Sequence, residues 1–167
     1  MIHVYTGNGK GKTTAALGLA VRASGAGLQV YFAQFIKGKC YSELVALRKF
    51  KNIKVEQFGG GRFIKRKPSA MEIELANKGI NKIKKAVMGN EFDLIILDEV
   101  NVAMKLGLLN INEVSALIKS APKNMEIVLT GRNAPERIIK EADLVSEIRE
   151  VKHYYNSGLK ARIGIEC

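Results

Sequence analysis

The sequence has no tryptophan, three prolines, two histidines and two cysteines among its 167 residues. With only His3 and His153, and with Cys40 and Cys167 far apart, no Cys/His metal spacing can be drawn. Two such cysteines read most simply as free thiols in a reducing compartment. No apolar run approaches the ~20 residues that cross a bilayer. The chain runs at once into strand and loop, which reads as no signal peptide and points to the cytoplasm. Repeats, low-complexity tracts and Pro/Ser-rich linkers are missing too, so one domain over residues 1–167 is expected.

Acidic residues are also in short supply. Lys and Arg total 27 against 16 Asp and Glu, a formal charge of +11. Two groups concentrate that charge: Arg48, Lys49, Lys51 and Lys54, then Arg62, Lys65, Arg66 and Lys67. Each holds a single phenylalanine, Phe50 or Phe63, and neither carries a recognised nucleic-acid motif. Attraction of a small polyanion explains the balance as well as nucleic acid does, and is the reading preferred.

What is present begins at the N-terminus. Ile2-His3-Val4-Tyr5 has strand character and empties into Thr6-Gly7-Asn8-Gly9-Lys10-Gly11-Lys12-Thr13-Thr14. A glycine-rich loop between a strand and a helix lets backbone N–H groups curl around phosphate oxygens, at the positive end of the helix. Lys12 then supplies a mobile charge to the phosphates and Thr13 a hydroxyl for a divalent metal. The usual spacing would put a glycine at position 6. Here it is Thr6, with glycines at 7, 9 and 11. A mere chain-reversing turn would not need Gly-Lys-Thr-Thr at the junction, and the altered spacing marks a specialised branch of the phosphate loops.

Further along, apolar runs alternate with helical patterns. Strands are expected at 29–34, 53–56, 94–97, 126–130 and 143–150, and helices at 12–24, 41–49 and within 100–119. Ser69 with Glu72 forms a capping-box pattern ahead of Ile73, Ala76, Ile80, Ile83 and Val87, a helical stripe that reads as core. Asn133 with Glu136 suggests a second box, with Pro135 in the first turn of a short helix. Continuous apolar strands between helices indicate an α/β fold of the P-loop NTPase (RecA-like) kind: a mostly parallel central sheet with helices on both faces. Ligands then bind beyond the carboxyl ends of the strands, where loops 6–13, 34–39, 98–101 and 130–134 gather.

Leu94-Ile95-Ile96-Leu97 ends in Asp98 and Glu99. Two acids can simply finish a strand. Paired with a phosphate loop, they are the expected partners of Mg²⁺ (or Mn²⁺), which takes oxygen ligands and keeps several waters. Arg132, after another strand end, offers a planar fork to phosphate or is an ordinary surface arginine.

These residues resemble the P-loop type of ATP:corrinoid adenosyltransferases. The resemblance is carried by Thr6 through Ala23, Gln34-Phe-Ile-Lys-Gly38, Leu97-Asp-Glu99, Leu129-Thr-Gly-Arg132, Glu141 through Glu147 and Val151 through Glu166. It implies transfer of the 5′-deoxyadenosyl group of ATP to the Co(I) of a corrinoid such as cob(I)alamin, with release of triphosphate. It also implies ATP held in the reverse sense along the loop, so that the ribose 5′-carbon faces cobalt.

By the same resemblance, Gly7, Asn8, Gly9, Lys10, Gly11, Lys12, Thr13 and Thr14 hold the triphosphate. Thr13 and Glu99 hold the metal with Asp98 nearby, and Arg22, Gln34 and Arg132 are further ATP contacts. Phe63 is placed against the lower face of the corrinoid. The family commonly carries a tryptophan two residues later, where this chain has Lys65. Many relatives also extend ahead of the first strand, and this sequence has no counterpart. A homodimer and a flavoprotein reductase supplying Co(I) are implied as partners. The other readings left open are a different P-loop kinase or ATPase, one stimulated by nucleic acid included, and a nucleotide-binding module without turnover.

Overall fold

The computed structural model describes residues 1–39, 41–61 and 67–166. Six strands form one sheet: β1 (Ile2–Thr6), β2 (Val30–Phe35), β3 (Ile53–Phe58), β4 (Leu94–Asp98), β5 (Glu126–Thr130) and β6 (Leu144–Glu147), in the order β3-β2-β4-β5-β1-β6. Every pairing is parallel. The helices are α1 (Lys12–Gly25), α2 (Ser42–Leu47), α3 (Ala70–Gly89), α4 (Val100–Lys105), α5 (Ile111–Lys119) and α6 (Glu136–Glu141). A short 3₁₀ turn follows at Tyr154–Ser157.

A parallel sheet covered on both faces has no solvent side, so its strands need not alternate apolar and polar residues. The central strands β2 and β4 are buried at every position. Alternation still decides which core each residue joins. Tyr31, Ala33, Phe35, Ile95 and Leu97 enter the larger core with α3, α4 and α5. Val30, Phe32, Leu94, Ile96 and Val128 enter the smaller one with Ala16, Ala20 and Ala23 of α1. By the same period, Gln34, Asp98 and Thr130 fall on the α1 face, at the carboxyl ends of their strands. That parity lets α1 present Thr13 to Asp98, which Gln34 and Thr130 flank.

The Ser69–Glu72 capping box is present: Glu72 N donates to Ser69 Oγ, and Ser69 N donates to Glu72 Oε2 at 2.8 Å. Two expectations change: the second capping box and the bounds of the last strand. No box forms at Asn133 and Glu136: the N-cap of α6 is Pro135, with no side-chain cap, and Asn133 sits at φ 56°. Proline biases the residue before it away from helix, so the helix starts only after it. The helical segments expected within 100–119 are α4 and α5, parted at Gly107 (φ 75°). β6 covers 144–147 rather than 143–150, because the chain beyond Glu147 leaves the ladder to run beside the phosphate loop.

Candidate active site

The sheet's register brings one row of polar residues to one level. Gln57 lies beside Gln34, Gln34 beside Asp98, and Thr130 beside Tyr5. Side-chain hydrogen bonds join the row. Gln57 Nε2 donates to Gln34 Oε1 (2.9 Å), and Gln34 Nε2 donates to Asp98 Oδ2 (2.9 Å). Asp98 Oδ1 accepts from Thr130 Oγ1 (2.7 Å) and from Thr13 Oγ1 at the start of α1 (2.8 Å). Lys37 Nζ approaches Oδ2 at 3.3 Å. Asp98 is wholly buried, and a buried carboxylate persists only with such a donor set around it.

Sharp turns at the strand ends place these groups. Gly7, Ile36, Glu99 and Gly131 directly follow β1, β2, β4 and β5, and all have positive φ. For Ile36, a β-branched residue at φ 66°, this conformation is strained. It swings Lys37 back over the sheet edge toward Asp98. The Glu99 backbone N donates to Thr130 Oγ1 (3.0 Å), which ties the β4 and β5 turns together. Loops 6–13, 34–39, 98–101 and 130–134 thus meet as the sequence predicts, with Ala134 N on Thr6 Oγ1 closing the group.

The phosphate loop closes around its own lysine. Lys12, buried, donates from Nζ to the carbonyls of Gly7 (2.7 Å) and Gly9 (2.6 Å). Burial lowers its ammonium pKa, and the nearby Arg132 lowers it further. Burial raises the Glu99 carboxyl pKa, and Asp98 raises it again, while Lys37, Lys12 and Arg132 oppose the rise. For Lys37, burial pulls the pKa down, but Asp98, Glu99 and Glu43 together leave it raised.

The unusual glycine spacing has a packing cause. Ile148 N donates to Thr6 O (2.8 Å), and Gly9 N donates to Ile148 O (2.7 Å). The backbone at 148–149 therefore lies against the loop where Cβ atoms of residues 7 and 9 would stand. A Cβ on Gly9 would come within 2.6 Å of Arg149 O and 2.7 Å of its carbonyl carbon. Gly11 has open space but φ 123°, a backbone conformation only glycine adopts readily. Gly9→Ala is thus expected to cost about 1–3 kcal/mol by overpacking against backbone that cannot rotate away. Urea denaturation checks this, and an unchanged midpoint would refute the packing explanation.

Among the sequence-predicted residues, the structure brings Lys12, Thr13, Asp98, Glu99 and Gln34 together, with Arg132 exposed on the loop beside them. Both ends of the Gln34 amide are engaged within the protein. Asn8 and Thr14 are exposed on the loop and first helical turn. Arg22 stands exposed in the last turn of α1, about 15 Å from Lys12 along the helix axis at 1.5 Å per residue. Phe63 and Lys65 lie outside the described residues.

Sequence reasoning passed over Lys37, Gln57 and Thr130 as individual site members. The signal was there: Gln34 and Asp98 are polar residues in otherwise apolar strands, and neighbours at that level must supply their partners. No signal foretold that Lys10 would meet Tyr154 and Glu166 across 144 and 156 residues.

The sequence model described as "ATP:corrinoid adenosyltransferase BtuR/CobO/CobP" matches residues 1–167. A corrinoid adenosyltransferase of a Sinorhizobium species is 34% identical over 99% of this chain and 79% of its own length. That of Pseudomonas aeruginosa is 34% identical over 98% of this chain and 81% of its own. That of Escherichia coli K12 is 33% identical over 99% and 85%.

Proposed function

Because this chain belongs to the ATP:corrinoid adenosyltransferase family and transfers the adenosyl group of ATP to a corrinoid, we propose that residues 7–14 hold the triphosphate that leaves. The reduced cobalt supplies the electron pair and bonds to the ribose 5′-carbon. The 5′-carbon–oxygen bond breaks, and triphosphate departs with that bond's electrons. No side chain has to be the nucleophile. The chain's work is positioning, exclusion of water and neutralisation of the leaving group.

The observation that carries this reading is the convergence of Lys12, Thr13, Asp98, Glu99 and Arg132 at one sheet edge. Lys12 already lies within the ring of loop carbonyls. On binding, its ammonium exchanges those carbonyls for phosphate oxygens, while Lys10 and the loop's backbone N–H groups take up further charge. Arg132, exposed on the loop that follows β5, would add its guanidinium to the phosphate contacts.

A divalent cation, Mg²⁺ or Mn²⁺, fits the donor set. Thr13 Oγ1 and the Glu99 carboxylate offer hard oxygen ligands, with Asp98 behind them. An acid whose carboxyl pKa is raised by burial and a neighbouring carboxylate is one that a cation would relieve. When bound, the ion would neutralise phosphate charge. Phe63 is assigned to the corrinoid's lower face, and Gln34 and Arg22 to supporting contacts, on the family resemblance. On the same ground the chain pairs as a homodimer, while its place in the cytoplasm and its action as one unit over residues 1–167 are proposed from its composition and unbroken α/β pattern. A flavoprotein reductase supplies its Co(I). Among the described residues no helix is long and apolar enough to cross a membrane.

The test is anaerobic incubation with ATP, Mg²⁺ and chemically reduced cob(I)alamin, following the corrinoid spectrum and identifying the phosphate product. Adenosylcobalamin with equimolar triphosphate is expected. Release of ADP or orthophosphate in step with the product would overturn the assignment of the whole triphosphate to this cradle.

Glu99 gives a pH-dependent prediction. Its folded pKa is raised above the unfolded value, so its ionisation costs stability above the folded pKa. That cost vanishes below the unfolded value, about 4.3. Glu99→Gln should therefore melt at a higher temperature than the parent at pH 8, without nucleotide or metal. The advantage should fade as pH approaches 4. Adenosyl transfer should fall about a hundredfold, the scale of losing one preorganised electrostatic group. Thermal melts across pH check the first part, and an advantage that grew with acidity would contradict the sign.

A further inference from the structure

Lys10, the extra lysine of the phosphate loop, is held by residues from the far end of the chain. Its Nζ donates to Tyr154 Oη and to Glu166 Oε1, both at 2.7 Å. The Tyr154 hydroxyl donates in turn to the same Oε1. Arg162 reaches this carboxylate through its backbone N (2.8 Å to Oε2), Nε (3.3 Å to Oε2) and Nη2 (3.2 Å to Oε1). Lys10 and Arg162 also stand over the Tyr154 ring, 5.4 and 5.0 Å from its centroid.

One carboxylate thus receives two cations, a phenol hydroxyl and a backbone N–H, on a side chain only 17% exposed. Arg162, Lys10 and Tyr154 hold its pKa far below the usual carboxylate range. An ordinary surface ion pair contributes little and does not gather so many donors. An arginine fork, a lysine point charge and a hydroxyl are what a phosphate group recruits. This anion is bound to the very loop on which the triphosphate is placed.

We propose that Lys10, Tyr154 and Arg162 form a subsite for a phosphate group of the triphosphate, and that Glu166 is its built-in occupant, displaced when the co-substrate binds. The inference rests on the reading that residues 7–14 hold the triphosphate. Its consequence is kinetic as well as static. Triphosphate is a highly charged product that a cationic loop would hold tightly. A tethered carboxylate is always present at high effective concentration to take its place. Glu166 trades some affinity for ease of release, and leaves Lys10 paired when the site is empty.

The experiment is calorimetric titration of the full chain with inorganic tripolyphosphate, without metal, for the parent, Glu166→Gln, Arg162→Gln and Lys12→Ala. Glu166→Gln should bind about tenfold more tightly, since one charged competitor is removed. Arg162→Gln should bind about tenfold more weakly, for the loss of a charged hydrogen-bond donor. The opposite signs are the discriminating result, because a purely structural brace would weaken binding in both variants. Glu166→Gln binding no more tightly than the parent, or tripolyphosphate binding to neither, would overturn the proposal. If Lys12→Ala binds like the parent, the cradle assignment itself fails. If Lys12→Ala loses binding while Glu166→Gln is unchanged, the cradle assignment stands and the proposal made here fails. Circular dichroism melts establish that each variant is folded.

Discussion

Lys12→Ala lowers kcat/KM for adenosyl transfer by about a thousandfold, the upper range for removing a preorganised donor from a site where negative charge develops. As the 5′-carbon–oxygen bond breaks, the charge on the departing triphosphate grows, so a group that meets it acts more strongly on the transition state than on bound ATP. Lys12 is already gathered inside the loop, bonded to Gly7 O and Gly9 O, and needs only to exchange these partners. The alanine variant should fold normally. It loses a side chain that joins neither apolar cluster, and α1 stays packed through Ala16, Ala20 and Ala23. Lys12→Arg should recover little, because a forked guanidinium does not fit where a single nitrogen sits 2.6–2.7 Å from two carbonyls. Single-turnover kinetics with cob(I)alamin check this. Activity within a few-fold of the parent would remove Lys12 from the mechanism.

The two halves of the site were not equally legible. The phosphate loop and Asp98-Glu99 sit where local chemistry is written: glycines between a strand and a helix, acids at the tip of an apolar strand. The inner strands β2, β4 and β5 were also readable, because parallel strands buried on both faces are continuous apolar runs, whereas the edge strand β6 is exposed at every position. Legibility fails where a residue's place depends on distant chain. Gly7 and Gly9 look like phosphate-cradling glycines, yet their lack of a Cβ is also demanded by the backbone of Ile148 and Arg149. Asn133-Ala-Pro-Glu136 has the letters of a capping box, but Pro135 sets the backbone first. Ile36 gives no local hint of left-handed geometry. The turn there is imposed by the packing of loops after β2 and β3, where a Cβ on Gly59 would collide with Ile36 backbone. Sequence motifs marked the residues proposed to meet the ligand better than the residues that hold them in place.

Asp98 joins both concerns, so its replacement has the largest expected effect on stability. Asp98→Ala removes the acceptor from Gln34 Nε2, Thr13 Oγ1, Thr130 Oγ1 and Lys37 Nζ in a wholly buried position. Breaking such a buried charged cluster should cost about 3–5 kcal/mol. At about 2–4 °C per kcal/mol for a chain of this size, the melting temperature should fall by roughly 6–20 °C. A loss below about 1 kcal/mol would mean water enters and satisfies the orphaned donors.

Asp98→Asn separates stability from chemistry. Its amide oxygen can still serve Gln34 and Lys37, and its NH₂ can donate to the two threonine hydroxyls, so the fold should survive with a smaller loss. The polarity of Thr13 nevertheless reverses. An ionised carboxylate only accepts, so Thr13 must donate its proton toward Asp98 and leave its lone pairs facing the cradle, as a metal ligand requires. An asparagine NH₂ in the same place occupies a lone pair and frees the hydroxyl proton to point the other way. Asp98→Asn is therefore expected to stay folded, lose most of its adenosyl transfer, and show a weakened response of melting temperature to Mg²⁺ with ATP. Equal stabilisation by that mixture in variant and parent would show that the carboxylate does not set the orientation of Thr13.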